Sequence, residues 1–117
     1  MNTHHYHYPT RRAKAYTALL EHPHGISSRE IDIKYFINKG NNEVSELERL
    51  HNVKIIKEKR YNQAHNGFYN VYRLPDVEEA LKVIKLLNFE RSKCGVLILS
   101  EAETQSYLKH FGGANEK

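Results

Sequence analysis

The 117-residue sequence predicts an α+β chain, and three observations carry that expectation. Apolar residues recur at helical spacing up to residue 52, the period drops to two between residues 53 and 74, and helical spacing returns after Pro75. Asn66-Gly67, in the middle of the two-residue stretch, is a hairpin signal. Four helix-start signatures divide the rest: Thr10, Ser27 with Glu30, Asp76 with Glu79, and Ser100 with Glu103.

The elements follow in order. Residues 1–9 hold three His and two Tyr without periodicity and read as a flexible arm. A first helix begins after Thr10, with Ala13, Tyr16, Leu19 and Leu20 on one face, and ends at His22-Pro23-His24-Gly25. Ser27-x-x-Glu30 opens a second helix, with Ile26 placed as a hydrophobic staple and Ile31 and Tyr35 on its apolar face. Lys39-Gly40-Asn41-Asn42 turns the chain into a third helix, whose stripe is Val44, Leu47 and Leu50 and whose end is His51-Asn52. Residues 53–60 and 68–74 read as the two strands of a hairpin. Asp76 caps a fourth helix with Val77, Ala80, Leu81, Ile84 and Leu87 as its stripe, widened by Val83 and Leu86. After the apolar segment 95–99 a last helix carries Thr104, Tyr107, Leu108 and Phe111, and a tail follows from 112.

Composition excludes several classes. With 39% apolar and 27% charged residues the chain suits a small core and not a disordered polymer. Its longest aliphatic run is Val96 to Leu99, too short to span a bilayer. The first ten residues lack the apolar stretch of a secretory signal. The single cysteine, Cys94, fits a reducing cytoplasm and leaves no thiol set for structural zinc. His4, His5 and His7, helped by His22 or His24, are the remaining metal ligands, and adventitious binding on an arm is the expectation, so no native metal or cofactor is assigned. No phosphate-binding glycine loop, zinc-protease helix or nucleophile elbow occurs, and Cys94 has no signature of a paired base, so the chain is read as a non-enzyme.

The net charge of +4 is unevenly spread. Residues 53–74 carry Lys54, Lys57, Lys59, Arg60 and Arg73 against Glu58 alone. Arg11 and Arg12 add charge at the first helix. The third helix is acidic, with Glu43, Glu46 and Glu48 against Arg49.

The order helix, helix, turn, helix, hairpin in roughly eighty residues matches a helix-turn-helix with an appended wing. Leu19-Leu20, Gly25-Ile26-Ser27-Ser28, Val44-Ser45-Glu46-Leu47, Asn52, Ile55 and the run Gly67-Phe68-Tyr69-Asn70-Val71-Tyr72-Arg73-Leu74 carry the likeness. Over residues 10–75 the chain resembles the winged helix-turn-helix domains of small bacterial and phage DNA-binding proteins, with Asn52 where such domains carry Gly. The division implied is an arm at 1–9, a winged helix-turn-helix domain at 10–75 made of three helices plus a β-hairpin wing, a C-terminal helical extension at 76–111, and a tail at 112–117.

The function expected is double-stranded DNA binding by a small transcriptional regulator. Lys57, Lys59 and Arg60, with Arg11 and Arg12, would anchor phosphates. Asn41, Asn42, Ser45 and Arg49 would read bases, since Asn suits adenine and Arg suits guanine. Asn62, Gln63 and His65 would reach a groove from the hairpin tip. The alternative for each is a solvated face, and Tyr69 and Tyr72 are expected to pack the hairpin on the core and not to stack bases. The wide stripe at 77–87 is assigned either to packing within the chain or to a homodimer through residues 76–111 that sets two wings on a palindrome. Two other functions stay open: a module that docks a basic protein through its acidic third helix, and a DNA replication or excision accessory factor.

Overall fold

A computed structural model describes residues 10–62, 64 and 67–112. The arm at 1–9, Asn66 of the hairpin signal and residues 113–117 of the tail lie outside the described residues. Among those described, the chain is α+β: helices α1 (Arg11–Glu21), α2 (Ser28–Tyr35), α3 (Asn41–His51), α4 (Val77–Lys93) and α5 (Glu101–Gly112), with strands β1 (Ile26–Ser27), β2 (Ile56–Tyr61) and β3 (Phe68–Arg73). The strands form one antiparallel sheet in the order β1-β3-β2.

Local signals place the helix starts. The Thr10 hydroxyl accepts the Ala13 N–H. Ser27 and Glu30 make both bonds of a capping box, as do Ser100 and Glu103, and Asp76 accepts from the Glu79 N–H. Each satisfies donors that a helix start leaves open. Strand β1 arises differently. Two residues have no periodicity of their own, and they become a strand only because Ile26 and Ser27 pair with Tyr72 and Val71. Ser27 thus ends β1 and caps α2.

The hairpin is shorter than the expected span of 53–60. Val53 is buried, its N–H donates to the Leu47 carbonyl, and the Lys54 N–H donates to Glu79, so neither is free to enter the ladder. The α3 stripe also differs from expectation. Val44 and Leu47 are buried, but Leu50 is exposed and Glu43 takes its place on the inner face, for the reason given below.

The core centres on α1. Ala13, Ala15, Tyr16, Ala18, Leu19 and Leu20 are all buried, because α2, α3 and α4 all pack against this helix. Burial pushes the Tyr16 phenol up to about 12. Residues 76–111 share this core: Ala80, Val83, Ile84 and Leu87 of α4 join Leu108 and Phe111 of α5 in the same cluster as Leu19 and Leu47. The α4 stripe is therefore occupied within the chain, with Leu81 left partly exposed. No helix among the described residues is long and apolar enough to cross a membrane.

Two devices set the α2–α3 turn. The Asp32 carboxylate accepts the N–H groups of Lys39 and Gly40 at 3.0 and 2.8 Å. Phe36 ends α2 in the left-handed region, at φ 58°, with its side chain exposed. A left-handed conformation strains a residue bearing a Cβ. Phe36→Gly is accordingly expected to stabilise the fold by about 1 kcal/mol, seen as a higher urea midpoint at unchanged slope.

Candidate nucleic-acid interface

Helix α3 has an inner face and an outer one. Asn42, Ser45 and Arg49 are spaced by three and four, share one side, and are exposed, with Asn41 beside them at the first turn. Ser28 of α2 stands next to this turn, its Oγ 3.5 Å from Asn41 Oδ1. The four residues read from sequence as base-contacting are thus brought together on open surface.

The three glutamates of α3 each face a cation from another element. Arg11 donates from Nε and Nη2 to both oxygens of Glu43, at 3.2 and 3.0 Å, and Nη2 also donates to the Asn38 carbonyl. Arg12 Nε donates to Glu46 at 3.1 Å, and Lys57 Nζ lies 3.0 Å from Glu48. The hydrogen bond to Glu43 raises the Arg11 pKa further above its ordinary value, and that to Glu46 does the same for Arg12. The first of these pairs explains the burial of Glu43 in place of Leu50, since a carboxylate enters an interior when a guanidinium meets it. Two consequences follow. The acidity of α3 is matched by α1 and β2, and Arg11, Arg12 and Lys57 are structural partners of α3 in the free protein.

The hairpin sorts its cations by strand period. Lys57 lies opposite Tyr72, Lys59 opposite Asn70 and Tyr61 opposite Phe68, so these six side chains share one face. Arg60 lies opposite Tyr69 and belongs to the other face. There it pairs with Glu58 at 3.2 Å and reaches the His24 carbonyl at 3.5 Å. Lys57, Lys59 and Arg60 therefore do not act from one surface. Lys59 is the member directed beside α2 and α3 without a carboxylate partner among the described residues, and its Nζ sits 4.6 Å from the Phe68 ring centroid.

Between α2 and β3 lies a groove of about 810 Å³. Ser28 and Arg29 form one wall, Phe68, Asn70 and Tyr72 the other, and Asn62 lines it from the end of β2. Gln63 and His65 lie outside the described residues. Arg29 was not among the residues singled out from sequence. It is exposed and, like Arg49, has no carboxylate partner among the described residues. Its signal was available, because the residue after a Ser cap and its successor stands in the first turn, facing whatever approaches the helix start.

Residues 3–116 match the model of a family described as Uncharacterised protein PM1773. The chain belongs to that family. No curated protein and no solved structure matches it. The candidate site of this family member thus stands on its own geometry: Arg29 at the start of α2 and the Lys59 face of the hairpin border one groove, and the outer face of α3 adjoins α2 at the Ser28–Asn41 contact.

Other singled-out groups have structural occupations. His22 donates from Nδ1 to the Ala18 carbonyl at 2.9 Å and meets Tyr35 edge-to-face. Burial, then the hydrogen bond to Glu21, raise the Tyr35 pKa. Tyr72 is buried, whereas Tyr69 is partly exposed. His4, His5 and His7 lie outside the described residues, and among the described ones no three His, Cys, Asp or Glu group together as a metal site.

Proposed function

We propose that the chain is a winged helix-turn-helix protein that binds double-stranded DNA and acts in the cytoplasm as a small transcriptional regulator of bacterial or phage type. The observation that carries this reading is the sorting of charge on α3. Its glutamates are matched by Arg11, Arg12 and Lys57, so that Asn41, Asn42, Ser45 and Arg49 form an outer face on which Arg49 has no carboxylate partner among the described residues. Element order supports it too: two helices joined by a five-residue turn, then a hairpin whose second strand pairs with a short strand before α2. In this reading α3 enters the major groove, Arg49 and Asn42 contact base edges, and Lys59 and Arg29 meet phosphates.

The docking of a basic protein on α3 loses force from the same observation, because the negative charge that motivated it already has partners. A second copy, which would supply a second half-site, has Phe89, Leu97 and Ile98 available as exposed apolar surface around the end of α4 and the segment before α5.

The test is fluorescence anisotropy with random-sequence duplex DNA at low and physiological salt. Binding is expected to weaken steeply with salt, at a slope close to one per phosphate neutralised. Arg49→Ala is expected to weaken a selected site by about ten- to a hundredfold and random duplex far less. Absence of binding at low salt would reject the reading.

A further inference from the structure

The hairpin carries aromatic rings that the core does not use. Tyr61 is 70% and Phe68 56% exposed, although both sit on β-strands that end near the groove. The rings meet edge-to-face, with centroids 6.3 Å apart and planes at 79°, and the Lys59 ammonium lies over Phe68. Exposed apolar area of this kind marks a contact surface.

We propose that Tyr61 and Phe68 form a stacking platform for an unpaired nucleobase, so that the preferred substrate is duplex DNA adjoining a single strand. The proposal rests on the DNA-binding reading above and narrows its substrate class. Charge selects the occupant. A protein side chain covering these rings would also bury the Lys59 ammonium on Phe68 without a counter-ion, which is costly. A nucleotide brings a π-face for the rings and a phosphate for Lys59 and Arg29 together.

The groove beside the platform agrees in size and lining. Its volume of about 810 Å³ lies within the range of about 300–1,000 Å³ that holds small ligands. The Asn70 side chain supplies the amide donor and acceptor that a base edge requires. Two acidic residues, Glu30 and Asp32, also line it. One oxygen of Glu30 accepts the Ser27 N–H, and both oxygens of Asp32 accept, from the N–H groups of Lys39 and Gly40. The stacked base would leave the duplex at the hairpin, while α3 remains on the paired segment.

The experiment compares three probes of one sequence by anisotropy: a blunt duplex, the same duplex with a short single-stranded overhang, and the single strand. A 2-aminopurine placed at the first unpaired position reports stacking by its quenching. The overhang duplex is expected to bind at least about fivefold more tightly than the blunt one, the weaker end of what one base–aromatic stack contributes, and the 2-aminopurine to be quenched. Tyr61→Leu/Phe68→Leu keeps apolar bulk on the strands but removes the π-faces. It is expected to abolish both the preference and the quenching. Equal binding of blunt and overhang duplexes by the parent protein would overturn the stacking platform and leave duplex binding standing. Loss of blunt-duplex affinity in the leucine variant would also overturn it, by assigning the rings to paired DNA. Failure to bind any probe would remove both this proposal and the reading beneath it.

Discussion

Gly25→Ala is expected to lower the unfolding free energy by about 2–6 kcal/mol. Gly25 has φ +120°, a conformation that costs a residue with a side chain about 1–3 kcal/mol. Space is lacking as well: a Cβ there would overlap Val71 Cγ1 on the neighbouring strand, and overpacking of that kind typically costs another 1–3 kcal/mol. Val71 is buried and held opposite Ser27 and Glu58, so it cannot retreat without disturbing the sheet. Against a typical domain stability of about 5–15 kcal/mol this is a large fraction. Urea denaturation checks it, with a lower midpoint at unchanged slope. Gly67→Ala is the control. Among the described residues its Cβ would meet only Asn62 Nδ2, at 3.4 Å, and a change beyond about 0.5 kcal/mol there would count against the packing argument.

Arg11→Ala is expected to cost about 1–3 kcal/mol, through the group it abandons. Glu43 is 8% exposed, and both of its oxygens accept from Arg11. Removing one partner leaves a desolvated carboxylate unmatched, which costs more than the pair itself is worth. Arg12→Ala should cost under about 1 kcal/mol, because Glu46 retains 24% side-chain exposure. The pair also separates two roles read for Arg11. If it is a structural partner of α3, the variant loses stability and keeps the salt slope of DNA binding. A slope reduced by about one, with stability intact, would instead identify a phosphate anchor.

These two sites show what was legible in the sequence. Helix starts were, because a cap and its N3 partner are three residues apart: Ser27 with Glu30 and Ser100 with Glu103 are complete in the local string and form as written. The hairpin was, because its period changes. Strand β1 was not, since its identity depends on Val71 and Tyr72 some forty-five residues away. The destination of the α3 glutamates was hidden for the same reason. Glu43 and Glu46 look like a repulsive face until Arg11 and Arg12, more than thirty residues earlier, are brought beside them. Leu50 was assigned inward because an apolar residue at a spacing of three outranks a glutamate unless a guanidinium is waiting. The splitting of Lys59 from Arg60 was legible and missed, because adjacent strand residues point to opposite faces.

The position of α4 bears on how such a chain can be inherited. The elements proposed to contact DNA end near Pro75, and a boundary there would look natural for a module passed between proteins. Yet α4 packs against α1, and its Val83, Ile84 and Leu87 are buried in the same core as Leu19 and Leu20. Burial of such side chains contributes roughly 1.5–3 kcal/mol each, together comparable to the whole margin of a small domain. Recombination at residue 75 would separate the proposed contact elements from a helix that keeps them folded. The folding unit therefore continues past Pro75 into α4, and substitutions along α4 are constrained by the core it shares with α1.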